Sequence, residues 1–402
     1  MSITRKITIK ARKYLDTPEV LLFIGPRQAG KTTILKQLKD ELEKQAKTAY
    51  FINLEDSEYL DLLNKSPKNI FKILTLDLKQ KSYIFIDEVQ YLKNPSNFLK
   101  YLHDEYAGKI KILASGSSAF YLDEKFKDSL AGRKKIFNVS TLSFSEFLLF
   151  KGEEELSKLN FSKLSISEAQ KISFYYREYV IFGGYPKVVL ASLEEKEDVL
   201  REIAFSYVKK DIFEAKLKRE DLFYKLFRIL ASQVGNLTNA SELASTLGIS
   251  KPAVDRYLYV MEKSFHVSLV RPFYKNIRKE LTKMPKVYFH DLGLRNFFVD
   301  NFESFETRED KGALLENAVF RQLIEAHELE RINFWRTTQQ NEIDFVIEDK
   351  IAFEVKTNLT KFKKKKYEKF FQSYPKIELS LVTIDKKDDK VDEAPVFDVW
   401  EI

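Results

Sequence analysis

The 402-residue chain has no cysteine, four histidines and 12 glycines. Without cysteine there can be no disulfide framework, no thiolate nucleophile and no Cys-based zinc site. The histidines (His103, His266, His290, His327) lie far apart in sequence, so a histidine-rich metal centre is not expected either. No apolar run approaches the roughly 18–20 residues that a membrane span needs. The first 15 residues carry five cations with no long apolar stretch behind them, which argues against a secretory leader. The expected setting is cytoplasmic, with no membrane partner. Aromatic material is plentiful, with 33 Phe and 20 Tyr, so a wholly disordered chain is excluded.

Charge is unevenly spread beneath a modest net +7. Residues 1–150 hold 25 basic and 18 acidic side chains, residues 151–290 hold 24 and 18, and residues 291–402 hold 18 and 24. The positive field therefore belongs to the first two thirds, which permits an anionic partner there.

Few glycines make one cluster conspicuous. Gly25, Pro26, Arg27, Gln28, Ala29, Gly30, Lys31 and Thr32, followed by Thr33, fit G-x-x-x-x-G-K-[ST]. The motif lies between an apolar strand at 20–24 and a helix at 32–44, the context in which inward-turned N–H groups cradle phosphates. Lys31 would neutralise the β- and γ-phosphates of ATP, and Thr32 would ligate Mg²⁺. Further strands at 49–54, 83–86 and 110–114 alternate with helices, the pattern of an α/β fold with a parallel sheet. The 83–86 strand delivers Asp87 to hold Mg²⁺ and Glu88 to polarise an attacking water.

Residues 220–290 read as helices at 220–234 and 239–247, a turn at Gly248, a helix to 263, and strands at 267–270 and 287–289. This is a winged helix-turn-helix pattern. Lys251, Arg256 and Tyr257 would face DNA. The segment 271–286, with Arg271, Lys275, Arg278, Lys279, Lys283 and Lys286 against Glu280, would form a basic wing.

The last zone predicts a helix at 312–328, strands at 332–336, 343–347 and 351–355, a helix at 360–371, and strands at 378–384 and 396–400. Alternation places Asp344 on one strand and Glu354 and Lys356 on the next. Asp344 and Glu354 would ligate Mg²⁺, Lys356 would orient or deprotonate water, and Glu316 would complete the cluster. Lys363 and Lys364 lie in a lysine run, six Lys against one Glu over 361–369, suited to a phosphate backbone.

Taken with Asp87-Glu88-Val89-Gln90, Ala114-Ser115-Gly116-Ser117-Ser118, Leu130-Ala131-Gly132-Arg133, Leu142–Phe147 and Gly183-Gly184-Tyr185-Pro186, the phosphate loop resembles that of a prokaryotic group of AAA+ P-loop ATPases. That group carries a C-terminal domain of unknown function, and the last zone resembles PD-(D/E)xK nucleases. The resemblance implies that Ser115 or Ser117 is the polar sensor near the γ-phosphate. It also implies that Arg133 is an arginine finger acting in its own or a neighbour's site, hence a homo-oligomer. Gly183-Gly184 is read as a tight turn. The expected architecture is an ATPase domain at 1–150, a helical lid at 151–217, a winged helix at 218–290 and a nuclease-like α/β domain at 291–402. The expected function is ATP hydrolysis acting on or regulated by DNA, with Mg²⁺-dependent DNA cleavage in view. The competing expectation is an ATP-driven switch or assembly protein that binds protein partners without cleavage.

Overall fold

The computed structural model describes residues 3–116, 130–217, 219–274, 283–360 and 362–402. The chain forms two compact units. The first comprises 1–141, 209–217 and 263–265, and the second comprises 142–208, 218–262 and 266–402.

The first unit is built on five parallel strands. They are β1 (Val20–Ile24), β2 (Thr48–Asn53), β3 (Ser82–Asp87), β4 (Ile110–Gly116) and β5 (Lys134–Asn138), in the order β2-β3-β4-β1-β5. Strands β1, β3 and β4 are buried along their whole length, as expected for central strands covered on both faces. One face packs Leu22, Ile52, Ile84 and Ile112 against the helix Pro95–Glu105. The other packs Leu21, Phe23, Phe85 and Leu113 against the helix Lys31–Lys44 through Ile34, Leu35 and Leu38. Because β4 lies between β3 and β1, the carboxyl ends of these three strands meet at one edge. In an open α/β sheet that edge is where ligands bind.

The second unit carries an eight-stranded sheet. Its strands are β6 (Val267–Pro272), β7 (Lys286–Phe289), β8 (Ile332–Arg336), β9 (Glu342–Ile347), β10 (Ile351–Val355), β11 (Glu378–Thr383), β12 (Lys390–Val391) and β13 (Ala394–Asp398). The order is β12-β13-β11-β10-β9-β8-β6-β7. Hairpin β6–β7 does not stand alone as a wing. Arg271 and Pro272 of β6 pair with Asn333 and Phe334 of β8, so the hairpin continues the sheet of the last zone. Ahead of it come helices Glu220–Ser232, Ala240–Leu247 and Lys251–Lys263. Asn239 caps the second by accepting from Ser241 and Glu242, and Gly248 ends it at φ +65°.

A local expectation changes. The helix expected over 360–371 starts later, as a 3-10 turn Lys364–Tyr367 followed by the helix Glu368–Ser373. Like-charged lysines crowded at successive positions disfavour an α-helical start there. The Gly183-Gly184 turn is built around a buried acid. The Gly184 N–H donates to Asp291 at 2.8 Å, and a Cβ on Gly183 would meet that carboxylate at 2.2 Å. Among the described residues, no helix is long and apolar enough to cross a membrane.

Candidate functional site

The phosphate loop sits at the carboxyl edge of the first unit's sheet. Gly25 follows β1 where a Cβ would meet the Val139 carbonyl oxygen at 1.9 Å, so only glycine fits. Gly30 stands at φ +93° and opens the helix Lys31–Lys44, with no side-chain cap on the helix N–H groups. The loop is braced from behind by Arg5. Its guanidinium donates to Ala29 O at 2.8 Å, Ser140 O at 3.0 Å and Thr141 O at 3.3 Å. Nothing local in the sequence links Arg5 to this loop, so sequence reasoning missed it.

Lys31 is buried and turned onto its own loop, donating to Gly25 O at 2.9 Å and Pro26 O at 2.7 Å. Burial pushes its ammonium down to about 8, against the pull of Glu88 and Asp87. Asp87, at the end of β3, accepts from the Thr32 hydroxyl at 2.7 Å through one carboxylate oxygen and from the Ser115 hydroxyl through the other. Ser115 in turn accepts from the Glu88 N–H at 3.1 Å. Glu88 sits in the left-handed region at φ +58° and accepts from the Gln90 amide. That backbone turn carries the Glu88 side chain out of the strand run. Thr32, Asp87, Glu88 and Ser115 thus form one hydrogen-bonded set beside Lys31, while Ser117 lies outside the described residues.

These residues fit a Mg²⁺-bound nucleoside triphosphate. The fit rests on a hydroxyl and a carboxylate in contact, an uncapped helix start and a buried lysine. Thr32 and Asp87 would hold the ion, and the loop N–H groups with Lys31 would hold the phosphates. When bound, Mg²⁺ would neutralise charge on the phosphate oxygens. Glu88, bonded to Gln90, could hold a water proton.

Arg133 lies elsewhere. Its carbonyl accepts from the Val20 N–H at 2.8 Å, which puts it at the amino end of β1, while the phosphate loop leaves the carboxyl end. The five residues of β1 separate the two by roughly 17 Å at about 3.3 Å each. Its guanidinium pairs with Asp104 at 2.7 Å. Arg133 therefore does not reach the site of its own chain, which corrects the part of the expectation that had it act there.

The second unit gathers its own carboxylates, but around an ammonium. Lys286 on β7 is fully buried, with Nζ 2.5 Å from Glu342, 3.0 Å from Glu316 and 3.7 Å from Asp344. Tyr288, on the same face of that strand, donates to Glu316. Asp344 also accepts from the Val355 N–H at 2.8 Å. Glu354 accepts from Lys356, and from Tyr367 at 2.7 Å through the same oxygen. Its other oxygen is buried without a hydrogen-bond partner. Burial, with Asp344 nearby, raises the Glu316 carboxyl to about 7 and the Glu354 carboxyl to about 8. Among the described residues, no group of three or more acidic or histidine side chains is disposed to hold a metal ion. Each of the two carboxylates expected to hold Mg²⁺ thus has a lysine ammonium beside it, Lys286 3.7 Å from Asp344 and Lys356 paired with Glu354, an arrangement that disfavours a cation there. Counting Lys286 with a basic wing hid this role. The alternation of Lys286 and Tyr288 with Val287 and Phe289 was the signal available.

The expected DNA contacts divide. Lys251, Arg256, Arg271 and Lys363 are exposed, and Lys364 is half-buried. Tyr257 is buried, edge-on to Phe223 at 5.5 Å, and so is not available to a groove. Lys275, Arg278 and Lys279 lie outside the described residues.

The sheet order, the loop and its partner strand define a P-loop nucleotide-binding domain. Residues 17–148 match a family model described as AAA domain, which supports a core of the AAA+ kind in this part of the chain. Residues 173–304 and 311–402 match two models described as domains of unknown function, DUF8612 and DUF4143. Similar proteins include an uncharacterized protein of Methanocaldococcus jannaschii, 28% identical over 98% of this chain and 88% of its own length. Another is an uncharacterized protein of Haemophilus influenzae, 27% identical over 78% of this chain and 76% of its own. Among solved structures, AMPPCP-bound DnaA from Aquifex aeolicus aligns over 65% of this chain and 89% of its own at 17% identity, TM-score 0.30. PCH-2 of C. elegans aligns over 63% and 66% at 17% identity, TM-score 0.32. Likeness this low adds nothing to what the strand order shows.

Proposed function

We propose that the protein binds and hydrolyses Mg²⁺-ATP at the loop Gly25–Thr33, and that the second unit reads out that cycle by binding a partner without cleaving it. The observation that carries the first part is the shared Asp87 carboxylate, held by Thr32 from the phosphate-loop helix and by Ser115 from the neighbouring strand. It joins the phosphate loop, the cation-binding acid and the sensor position in one contact set. Lys31→Ala tests it. Loss of saturable ATP binding and of phosphate release, with an unchanged melting curve, is the expected result. Undiminished turnover in that variant would remove the proposal.

Lys286 among the carboxylates supports the non-cleaving reading of the second unit over a Mg²⁺-dependent nuclease. DNA is the partner class we propose, on the exposed cations Lys251 and Arg256 at the start of the helix Lys251–Lys263, with Arg271 on β6. Anisotropy titration of a labelled duplex in low salt checks this. Triple substitution of Lys251, Arg256 and Arg271 by Ala should weaken binding and flatten its salt dependence. If the unaltered chain ignores DNA in low salt and DNA leaves ATP turnover unchanged, the partner is a protein and the DNA reading fails.

A further inference from the structure

Arg27, inside the phosphate loop, is buried and committed to acids far away in sequence. Its Nε lies 3.5 Å from Asp211, its Nη2 donates to Glu214, and Nη1 lies 3.9 Å from Glu88. Asp211 and Glu214 belong to the helix Val208–Glu214. The stretch 209–217 is part of the first unit, yet it is bracketed in sequence by 142–208 and 218–262 of the second. Within it Ile212 and Ala215 are buried, and Lys210 pairs with Glu55 at 3.2 Å. Phe213, between the two acids, points away and is 81% exposed.

This strap puts two extra carboxylates beside a loop whose ligand is a polyanion. At the same time Lys31 spends its donors on the loop's own carbonyls. Lys31 is thus bonded to the loop's own carbonyls, while Arg27 bonds Glu214 through Nη2 and keeps its Nε buried without a hydrogen-bond partner. Burial holds the Glu214 carboxyl above its ordinary value even beside Arg27, so the pair is poorly solvated and sensitive to a competing anion. A phosphate presents more charge and the same forked geometry to a guanidinium as a carboxylate does.

We propose that Asp211 and Glu214 are positioning residues that latch Arg27, and that the ATP phosphates bind by taking Arg27 from them, releasing the strap. The inference rests on the ATP reading of the loop. Because the strap's chain runs directly into the second unit at both ends, release would carry the nucleotide state there by connectivity alone.

The absence of cysteine allows a unique probe. Phe213→Cys, labelled with an environment-sensitive dye, reports on the strap in the full chain. Saturating Mg²⁺-ATP should shift the signal, and the ADP and ATP signals should differ. Adding Asp211→Asn and Glu214→Gln should give the shifted signal without nucleotide and tighten ATP binding about tenfold, the size expected when one or two shielded ion pairs no longer compete. In an Arg27→Ala background the same two substitutions should leave affinity unchanged. Glu214→Gln alone, at the less buried of the two acids, serves if the pair impairs folding, and should give part of the gain. Affinity that is unchanged or weaker in these variants, with native melting, overturns the latch. A parent chain that shows no saturable ATP binding at all overturns the loop reading itself.

Discussion

Each unit of this protein concentrates carboxylates at a buried point, and the two points are neutralised differently. In the first unit, Asp87 is held by the hydroxyls of Thr32 and Ser115. Hydroxyl donors fix the carboxylate's orientation and leave its charge uncancelled, so a cation can still be attracted. In the second unit, Glu316, Glu342 and Asp344 surround Lys286, and Glu354 takes Lys356. Ammonium donors cancel the charge on the spot, which disfavours a cation there. On the function proposed above, the same residue types would serve ligand binding in one place and packing in the other, with the donor deciding which.

The largest expected effect comes from removing the ammonium. Lys286→Met leaves three carboxylates around an apolar side chain, and should cost about 3–5 kcal/mol in urea unfolding at neutral pH. The cost should shrink in acid, where the carboxyls take up protons. A stable variant that gains Mn²⁺ binding would instead show a cation site merely covered by Lys286, and would erase the contrast with the first unit. Next comes Asp87→Asn. Its hydroxyl partners can still bond to the amide, so stability should change by less than about 1 kcal/mol. ATP hydrolysis should fall at least about 100-fold with the loss of the charge that holds Mg²⁺. A destabilised Asp87→Asn variant with normal turnover would reverse the roles assigned to the two clusters.

How much of this could be read from sequence depends on the distance between partners. The phosphate loop is legible because its chemistry lies in consecutive residues and its glycines are scarce. Asp87 and Ser115 are legible because apolar strands end at them. The strands at 332–336, 343–347 and 351–355 are legible too, since their apolar periodicity is undisturbed. The partners were not. Arg27 meets Asp211 and Glu214, Arg5 meets Ala29 and Ser140, and Lys286 meets Glu316 and Glu342. Each is a charged residue whose role is set by a contact far along the chain, and a local count treats such a residue as surface. Tyr257 fails for a related reason. Lys251 and Arg256 of its helix are exposed, but position 257 falls on the face that packs against Phe223.

The sharpest test of the second cluster is a pH dependence. Glu354 is 3% exposed, with one oxygen bonded to Lys356 and Tyr367 and the other without a partner. Burial raises its carboxyl from 4.5 to about 8. A carboxyl raised on folding binds more protons in the native state than in the unfolded state between those values. Its contribution is therefore complete below about pH 4.5 and is lost as pH rises through 8. Glu354→Gln keeps the shape and an acceptor for Tyr367 but cannot ionise. The variant should match the parent near pH 4.5 and become the more stable of the two as pH rises toward 8, because the parent alone must then bury a charge. Urea unfolding at the two pH values reads the difference. An equal loss of stability at both would mean that Glu354 is ionised throughout and fully paid by Lys356, making this cluster as polar in effect as the one around Asp87.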